Sequence, residues 1–148
     1  MQRPMTGDLP LPMWPDGIAI AKLDPVAVHA LLRVCYSQGY GEVPPSPEEW
    51  WDTVSNDSEF DPSLAIVVAE PSGIPAGFIL LWTSGFIKDL VVRPDLRWRG
   101  IGASLIAEGL RRLAARGGIE WVALKVKEEN VVARALYERL GFKDSLAF

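Results

Sequence analysis

Apolar positions along the chain follow two periods. Alternation or short unbroken apolar runs mark strands at Ile18 to Lys22, Leu64 to Ala69, Ala76 to Trp82 and Phe86 to Val92, with a Pro71-Ser72-Gly73 turn between the second and third. Spacings of three and four mark helices. Asp24-Pro25 is a helix start, Asp as N-cap and Pro in the first turn, and Val28, Leu31, Leu32 and Cys35 carry the apolar stripe down to Gly39. Ser46-Pro47-Glu48-Glu49 opens a second helix, with Glu49 placed to close a capping box and Trp50, Trp51 and Val54 following. From Ile101 to Arg116 the apolar side is Ile101, Leu105, Ile106, Leu110 and Leu113; Ser104, Glu108, Arg111 and Arg112 fall largely opposite, and Gly117-Gly118 ends the helix. Trp121 to Lys127 alternates again. Asn130 caps a last helix with the stripe Val132, Ala133, Leu136 and Leu140, stopped at Gly141, and Phe142 to Phe148 holds one short strand. The predicted order is β-α-α-β-β-β-α-β-α-β, a mixed α/β sheet with helices on both faces.

Composition narrows this to one domain. A chain of 148 residues, 49% hydrophobic and 23% charged, can bury a core without metals or disulfides. Residues 1–15, with Pro4, Pro10, Pro12 and Pro15, read as a proline-rich tail, and 16–148 as the single domain. Those prolines break the stretch where the apolar part of a signal peptide would lie. The single cysteine, Cys35, excludes an internal disulfide framework and points to a reducing cytoplasm. With His29 the only histidine, no metal site is expected. The uncharged stretch between Glu70 and Lys88 is punctuated by Pro71, Gly73, Pro75, Gly77 and Gly85, so it reads as a buried hairpin rather than a membrane span.

Charge is unevenly spread. The net charge is −4, yet no lysine or arginine occurs from Val34 to Ile87, where Glu42, Glu48, Glu49, Asp52, Asp57, Glu59, Asp61 and Glu70 all fall. From Lys88 onward, cations dominate. One part suits a cationic ligand and the other an anion. The acidic total and the lack of an aromatic-basic stripe argue against nucleic acid as a partner.

The sharpest local motif is Arg97-Trp98-Arg99-Gly100-Ile101-Gly102, between a strand and a helix. Glycines at such a turn let several backbone N–H groups point at one anion, and the helix dipole and the arginines favour the same charge. A pyrophosphate suits that cradle. The motif is not a Walker A loop, and Leu105 stands where a dinucleotide fingerprint needs its third glycine.

Leu90-Val91-Val92-Arg93-Pro94 followed by Arg97-x-x-Gly-x-Gly resembles the acetyl-CoA motif of the GNAT acetyltransferase superfamily. Asn130-x-x-Ala133-x-x-x-Tyr137-x-x-x-Gly141-Phe142 resembles the same family's C-terminal motif at the expected distance. The resemblance spans roughly residues 64 to 142. It implies a mixed, mostly antiparallel sheet and transfer of an acetyl group from acetyl-CoA to an amine. Leu90, Val91 and Val92 would then hold the pantetheine arm, with the Val91 N–H as oxyanion donor. Arg97, Trp98, Arg99, Gly100, Ile101 and Gly102 would hold the pyrophosphate, Asn130 and Ala133 would line the arm, and Tyr137 would protonate the departing thiolate. Phe60-Asp61-Pro62, with the later motifs, resembles the acetyltransferases that complete mycothiol, without naming a substrate.

Lys88 and Lys125 stand where family members often carry a glutamate base, and either would need burial to lose its proton. Asp89 is the nearest carboxylate; a water relay or a carboxylate from the acidic part stays open. Tyr36, Tyr40, Trp50 and Trp51, with Glu49, could form a pocket attracting a small cationic amine. A CoA-binding module with little catalysis, or a protein N-terminal or lysine acetyltransferase, are the alternatives. Because only Phe142 to Phe148 follow the last motif, an unfilled sheet edge and a homodimer through C-terminal strands are expected.

Overall fold

The computed structural model describes residues 1–37 and 41–145. Along the chain run β1 (Gln2–Pro4), β2 (Ala19–Ala21), α1 (Pro25–Tyr36), α2 (Pro47–Ser55), β3 (Ala65–Ala69), β4 (Pro75–Leu81), β5 (Ile87–Val92), α3 (Ile101–Arg116), β6 (Trp121–Ala123) and α4 (Val131–Arg139). The helices start where their caps dictate. Asp24 accepts from Val26 N–H at 3.1 Å, Ser46 from Glu49 N–H at 3.2 Å, and Asn130 from Ala133 N–H at 3.4 Å. The Ser46 hydroxyl donates to Glu48 at 3.1 Å, so Glu49 is not the acidic partner seen at this cap.

Strands β2, β3, β4 and β5 form a four-stranded antiparallel sheet in that order. Alternation sends Ile66, Val68, Ile79 and Leu81 toward Leu105, Ile106 and Leu110 of α3, and Val67, Phe78, Leu80 and Val91 toward Val28, Leu31 and Leu32 of α1. The mixed α/β architecture with helices on both faces follows from that double burial. No helix among the described residues is long and apolar enough to cross a membrane.

The chain's first residues are not a dangling tail. Gln2–Pro4 pairs antiparallel with Trp121–Ala123, and Gln2 also bridges Lys143. Arg3, 8% exposed, donates to Leu140 O at 2.7 Å and so covers a carbonyl at the end of α4. Farther on, Met13 exchanges both backbone hydrogen bonds with the buried Ser104 hydroxyl, at 2.9 and 3.0 Å, which straps residues 9–18 onto α3. Pairing with β1 was not readable locally, because three residues ending in proline carry no strand period.

This arrangement also corrects the expectation of a C-terminal strand. The predicted strand from Phe142 reduces, among the described residues, to the single bridge at Lys143, while Leu146, Ala147 and Phe148 lie outside them. The edge of β6 that was expected to seek a second chain is filled by β1 of the same chain. β6 itself is shorter than the predicted Trp121 to Lys127.

Candidate active site

β5 and β6 touch at one end and then part. Phe86 makes a parallel bridge to Ala123, and Ala123 N–H donates to Gly85 O at 2.9 Å; no further ladder pairs join them among the described residues. Beyond that point no strand among the described residues pairs with that edge of β5. Which backbone groups it offers follows from the β4 pairing. Arg93 N–H donates to Ala76 O at 2.8 Å, and the register sets Val92 against Gly77, Val91 against Phe78, Leu90 against Ile79 and Asp89 against Leu80. Hydrogen-bonded and non-hydrogen-bonded pairs alternate in an antiparallel ladder, so the amides of Asp89 and Val91 are turned to β4 and those of Leu90 and Val92 to the open edge. Val92 O confirms the direction, accepting from Arg97 Nε at 3.3 Å and from the Cys35 thiol at 3.5 Å. The assignment of Val91 as oxyanion donor is therefore corrected: its N–H is spent inside the sheet, and Leu90 and Val92 carry the outward donors.

A bulge between Leu80 and Leu81 resets the faces of β5. Ile87 joins Leu90 and Val92 on the α3 side, while Asp89 joins Val91 on the α1 side. Asp89 is 6% exposed, and burial raises its pKa above the usual carboxylate range; the Lys88 ammonium, 3.9 Å away, and a hydrogen bond from Tyr36 act in the opposite direction. That hydrogen bond runs from the Tyr36 hydroxyl, on the last residue of α1, to Asp89 Oδ1. Burial and the Asp89 charge hold the Tyr36 phenol firmly protonated, and its surroundings include the Cys35 thiol and the Tyr137 hydroxyl.

Tyr137 sits on α4 with its ring edge-on to Phe142 at 5.9 Å, and burial pushes its pKa up to about 12. Asn130 and Ala133 lie one turn earlier, where the Asn130 side chain and the Ala133 amide bond each other as the α4 cap. Lys88 keeps 44% exposure and Lys125 is exposed, so neither meets the burial condition for a lysine base.

The loop before α3 is conformationally special. Gly100 has φ +85° and Trp98 φ +67°, the latter in a region that non-glycine residues rarely adopt, with its ring 81% exposed. No side chain caps α3 at Gly100, which leaves the first amides of the helix for a ligand or solvent. Gly102 answers a packing need: a Cβ there would stand 3.3 Å from Leu136 and 3.6 Å from Val92, so α3 begins tight against α4 and β5. Ile101 is core, 1% exposed. Arg99 shares a cavity of about 100 Å³ with Asp16 and Glu70, and Arg93 ties the loop down through Glu70 at 3.0 Å and Asp95 at 2.7 Å.

Of the expected acceptor pocket, one member is core and a second is half-buried. Trp50 is 4% exposed and edge-on to Phe78 at 6.2 Å, and Trp51 is edge-on to Phe60 at 5.6 Å. The aromatic residues of α2 bury one another because helical spacing turns them inward. Glu49 is exposed in the first turn of α2, and Tyr40 lies outside the described residues. Of that group, among the described residues, the site gains Tyr36. Its pairing with Asp89 escaped sequence reasoning, because the residues are far apart in the chain.

A family model described as the acetyltransferase (GNAT) family matches residues 26–142. The mycothiol acetyltransferase of Streptomyces coelicolor is 31% identical, over 96% of this chain and 48% of its own length. That of Salinispora tropica is 29% identical over 96% of this chain and 50% of its own. The chain thus spans about half the length of these curated relatives. Among solved structures, a GCN5-related N-acetyltransferase from Sphaerobacter thermophilus superposes with a TM-score of 0.76 at 26% identity, over 94% of this chain and 45% of that one.

Proposed function

This chain belongs to the acetyltransferase (GNAT) family, and from that membership we propose that it moves an acetyl group from acetyl-CoA to the primary amine of a small cationic molecule, in the cytoplasm, by direct attack through a tetrahedral intermediate. The observation that carries the reading is the open edge of β5, with two outward amides, lying beside an uncapped helix N-terminus. The pantetheine arm of the donor would add to that edge like a strand, bonding Leu90 and Val92. Its pyrophosphate would rest on the amides between Arg97 and Gly102, where the α3 dipole and the arginines favour negative charge.

In this scheme the Leu90 N–H, the outward donor deeper in the cleft, polarises the thioester carbonyl and meets the oxyanion as it forms. Tyr137 gives its proton to the departing thiolate; a phenol with a pKa near 12 is fully protonated at neutral pH and available for that step. The acidic stretch before β5 draws in a cation by charge. Aromatic stacking contributes less than the sequence suggested, since Trp50 is buried in the core and Trp51 packs edge-on against Phe60.

The test is thiol release from acetyl-CoA over a panel of amines that includes the unacetylated form of mycothiol. Turnover on at least one amine is expected. Tyr137→Phe should lower kcat by roughly 10²-fold or more while leaving acetyl-CoA affinity within about twofold. Acetyl-CoA binding with no turnover on any acceptor would replace this reading with that of a CoA-binding module.

A further inference from the structure

Near the point where β5 and β6 part, a carboxylate is buried at a cost that packing alone does not require. Asp89 occupies a strand position whose neighbours on the same face, Val91 and Phe78, are apolar. A leucine or valine there would avoid the desolvation of a charge. Its nearest cation, Lys88, stays largely in solvent, so the pair is not a closed internal salt bridge. The group aimed at it from α1 is the Tyr36 hydroxyl, which donates to Oδ1. From α4 the Tyr137 hydroxyl belongs to the same surroundings, as does the Cys35 thiol from α1, itself held by Val92 O and influenced by Arg97. A carboxylate and a phenol bonded to it thus meet near the point where β5 parts from β6, within electrostatic reach of the phenol assigned to the leaving group.

We infer that Tyr36 and Asp89 act as one base, the incoming amine passing its proton to Tyr36 Oη while the Tyr36 proton passes to Asp89 Oδ1. This rests on the acetyltransferase reading above and supplies the base that Lys88 and Lys125 do not. The neutral amine attacks the thioester carbon and forms the N–C bond. As it does so, one N–H proton moves to Tyr36 and the Tyr36 proton to the Asp89 carboxylate, so Tyr36 carries no charge at any stage. The C–S bond then breaks, and the thiolate takes the Tyr137 proton. The proton held on Asp89 returns through Tyr36 or solvent to the Tyr137 phenolate. The sum is amine plus acetyl thioester giving amide plus thiol, with every group restored. Because the Tyr36 hydroxyl, rather than Asp89, meets the amine, Tyr36 is the catalytic residue and Asp89 the proton's destination.

The experiment is the pH dependence of kcat/KM for the whole chain, Tyr36→Phe, Asp89→Asn and Asp89→Glu, with acetyl-CoA affinity measured in parallel. Wild type should show an acid limb lying above the ordinary aspartate range. Asp89→Asn should lose that limb and about 10²–10⁴-fold in rate, with Asp89→Glu recovering part of it and acetyl-CoA affinity within about twofold in all variants. Tyr36→Phe should lose at least tenfold and move the remaining limb to higher pH, because the hydrogen bond it removes favours the ionised carboxylate. A Tyr36→Phe or Asp89→Asn enzyme with the wild-type rate and an unshifted limb overturns the dyad while leaving the acetyltransferase reading intact. A wild-type chain with no turnover on any amine overturns the reaction and the dyad together.

Discussion

The two faces of the four-stranded sheet use the same strands under different rules. On the α3 side every sheet residue of the cluster is aliphatic, and glycines let the layers close. A Cβ on Gly109 would stand 2.8 Å from Leu81, and one on Gly77 would meet Ile101 and Leu105 at 3.0 Å and Val91 O at 3.1 Å. On the α1 side the aliphatic layer is interrupted by polar groups with dedicated partners. His29 Nε2 donates to Pro44 O at 2.6 Å, the Cys35 thiol reaches Val92 O, and Tyr36 holds Asp89. Close packing on one face leaves the other to hold a buried carboxylate on β5. On the proposed reading, stability and chemistry fall on opposite sides of one sheet.

Breaking the α3 side should cost most. Leu105 is fully buried against β4, and Leu105→Ala should lose about 2–5 kcal/mol in denaturant unfolding. The acid limb of the reaction should keep its position, since nothing in the carboxylate's surroundings changes. A limb that moved in step with stability would dissolve the division between the faces. Gly77→Ala should cost less, about 1–3 kcal/mol, because one of its three close neighbours is backbone and cannot swing aside.

Gly100 tests the connection between the two sides. Nothing in the chain lies within 4 Å of a Cβ built there, so within the protein the cost of a side chain falls on the backbone conformation. At φ +85° an L-residue is strained by about 1–2 kcal/mol. Gly100→Val should relax toward negative φ, re-aim the first amides of α3 and weaken acetyl-CoA by at least tenfold, with a loss of stability below that of Leu105→Ala. Unchanged affinity would remove the loop from the donor site.

The parts legible in the sequence were those whose cause is local. Asp24, Ser46 and Asn130 fix helix starts by their own side chains, and the stripe of α3 fixes which side is buried. The loop at Gly100 was legible for the same reason, since left-handed backbone needs glycine. What escaped depends on pairing between distant segments. β1 finds β6 from the other end of the chain, and the direction of the Val91 amide is set by Ala76 and Phe78 through the ladder. The register that sets Asp89 against Leu80 places it on the α1 face with Val91, where it meets Tyr36. Periodicity located β5 correctly and could not say which of its edges or faces would carry the chemistry.

The smallest effect expected is the most discriminating, because it separates the cost of the buried carboxylate from its use. Asp89 has a folded pKa raised by burial above the ordinary unfolded value of about 3.9. The folded chain therefore binds this proton more tightly than the unfolded one. The associated stability is full below the unfolded pKa and is lost as pH rises through the folded pKa. Asparagine has nearly the same shape, can accept the Tyr36 hydrogen bond through its amide oxygen and does not titrate. Asp89→Asn should consequently melt slightly higher than wild type at pH 7, with the gap narrowing as pH falls toward about 4, while its catalytic rate collapses across the whole range. Calorimetric Tm values at several pH values between those limits decide the matter. A variant less stable than wild type at pH 7, by a margin that shrinks on acidification, would mean that the carboxylate stabilises the fold and that its burial on the α1 side has a structural cause.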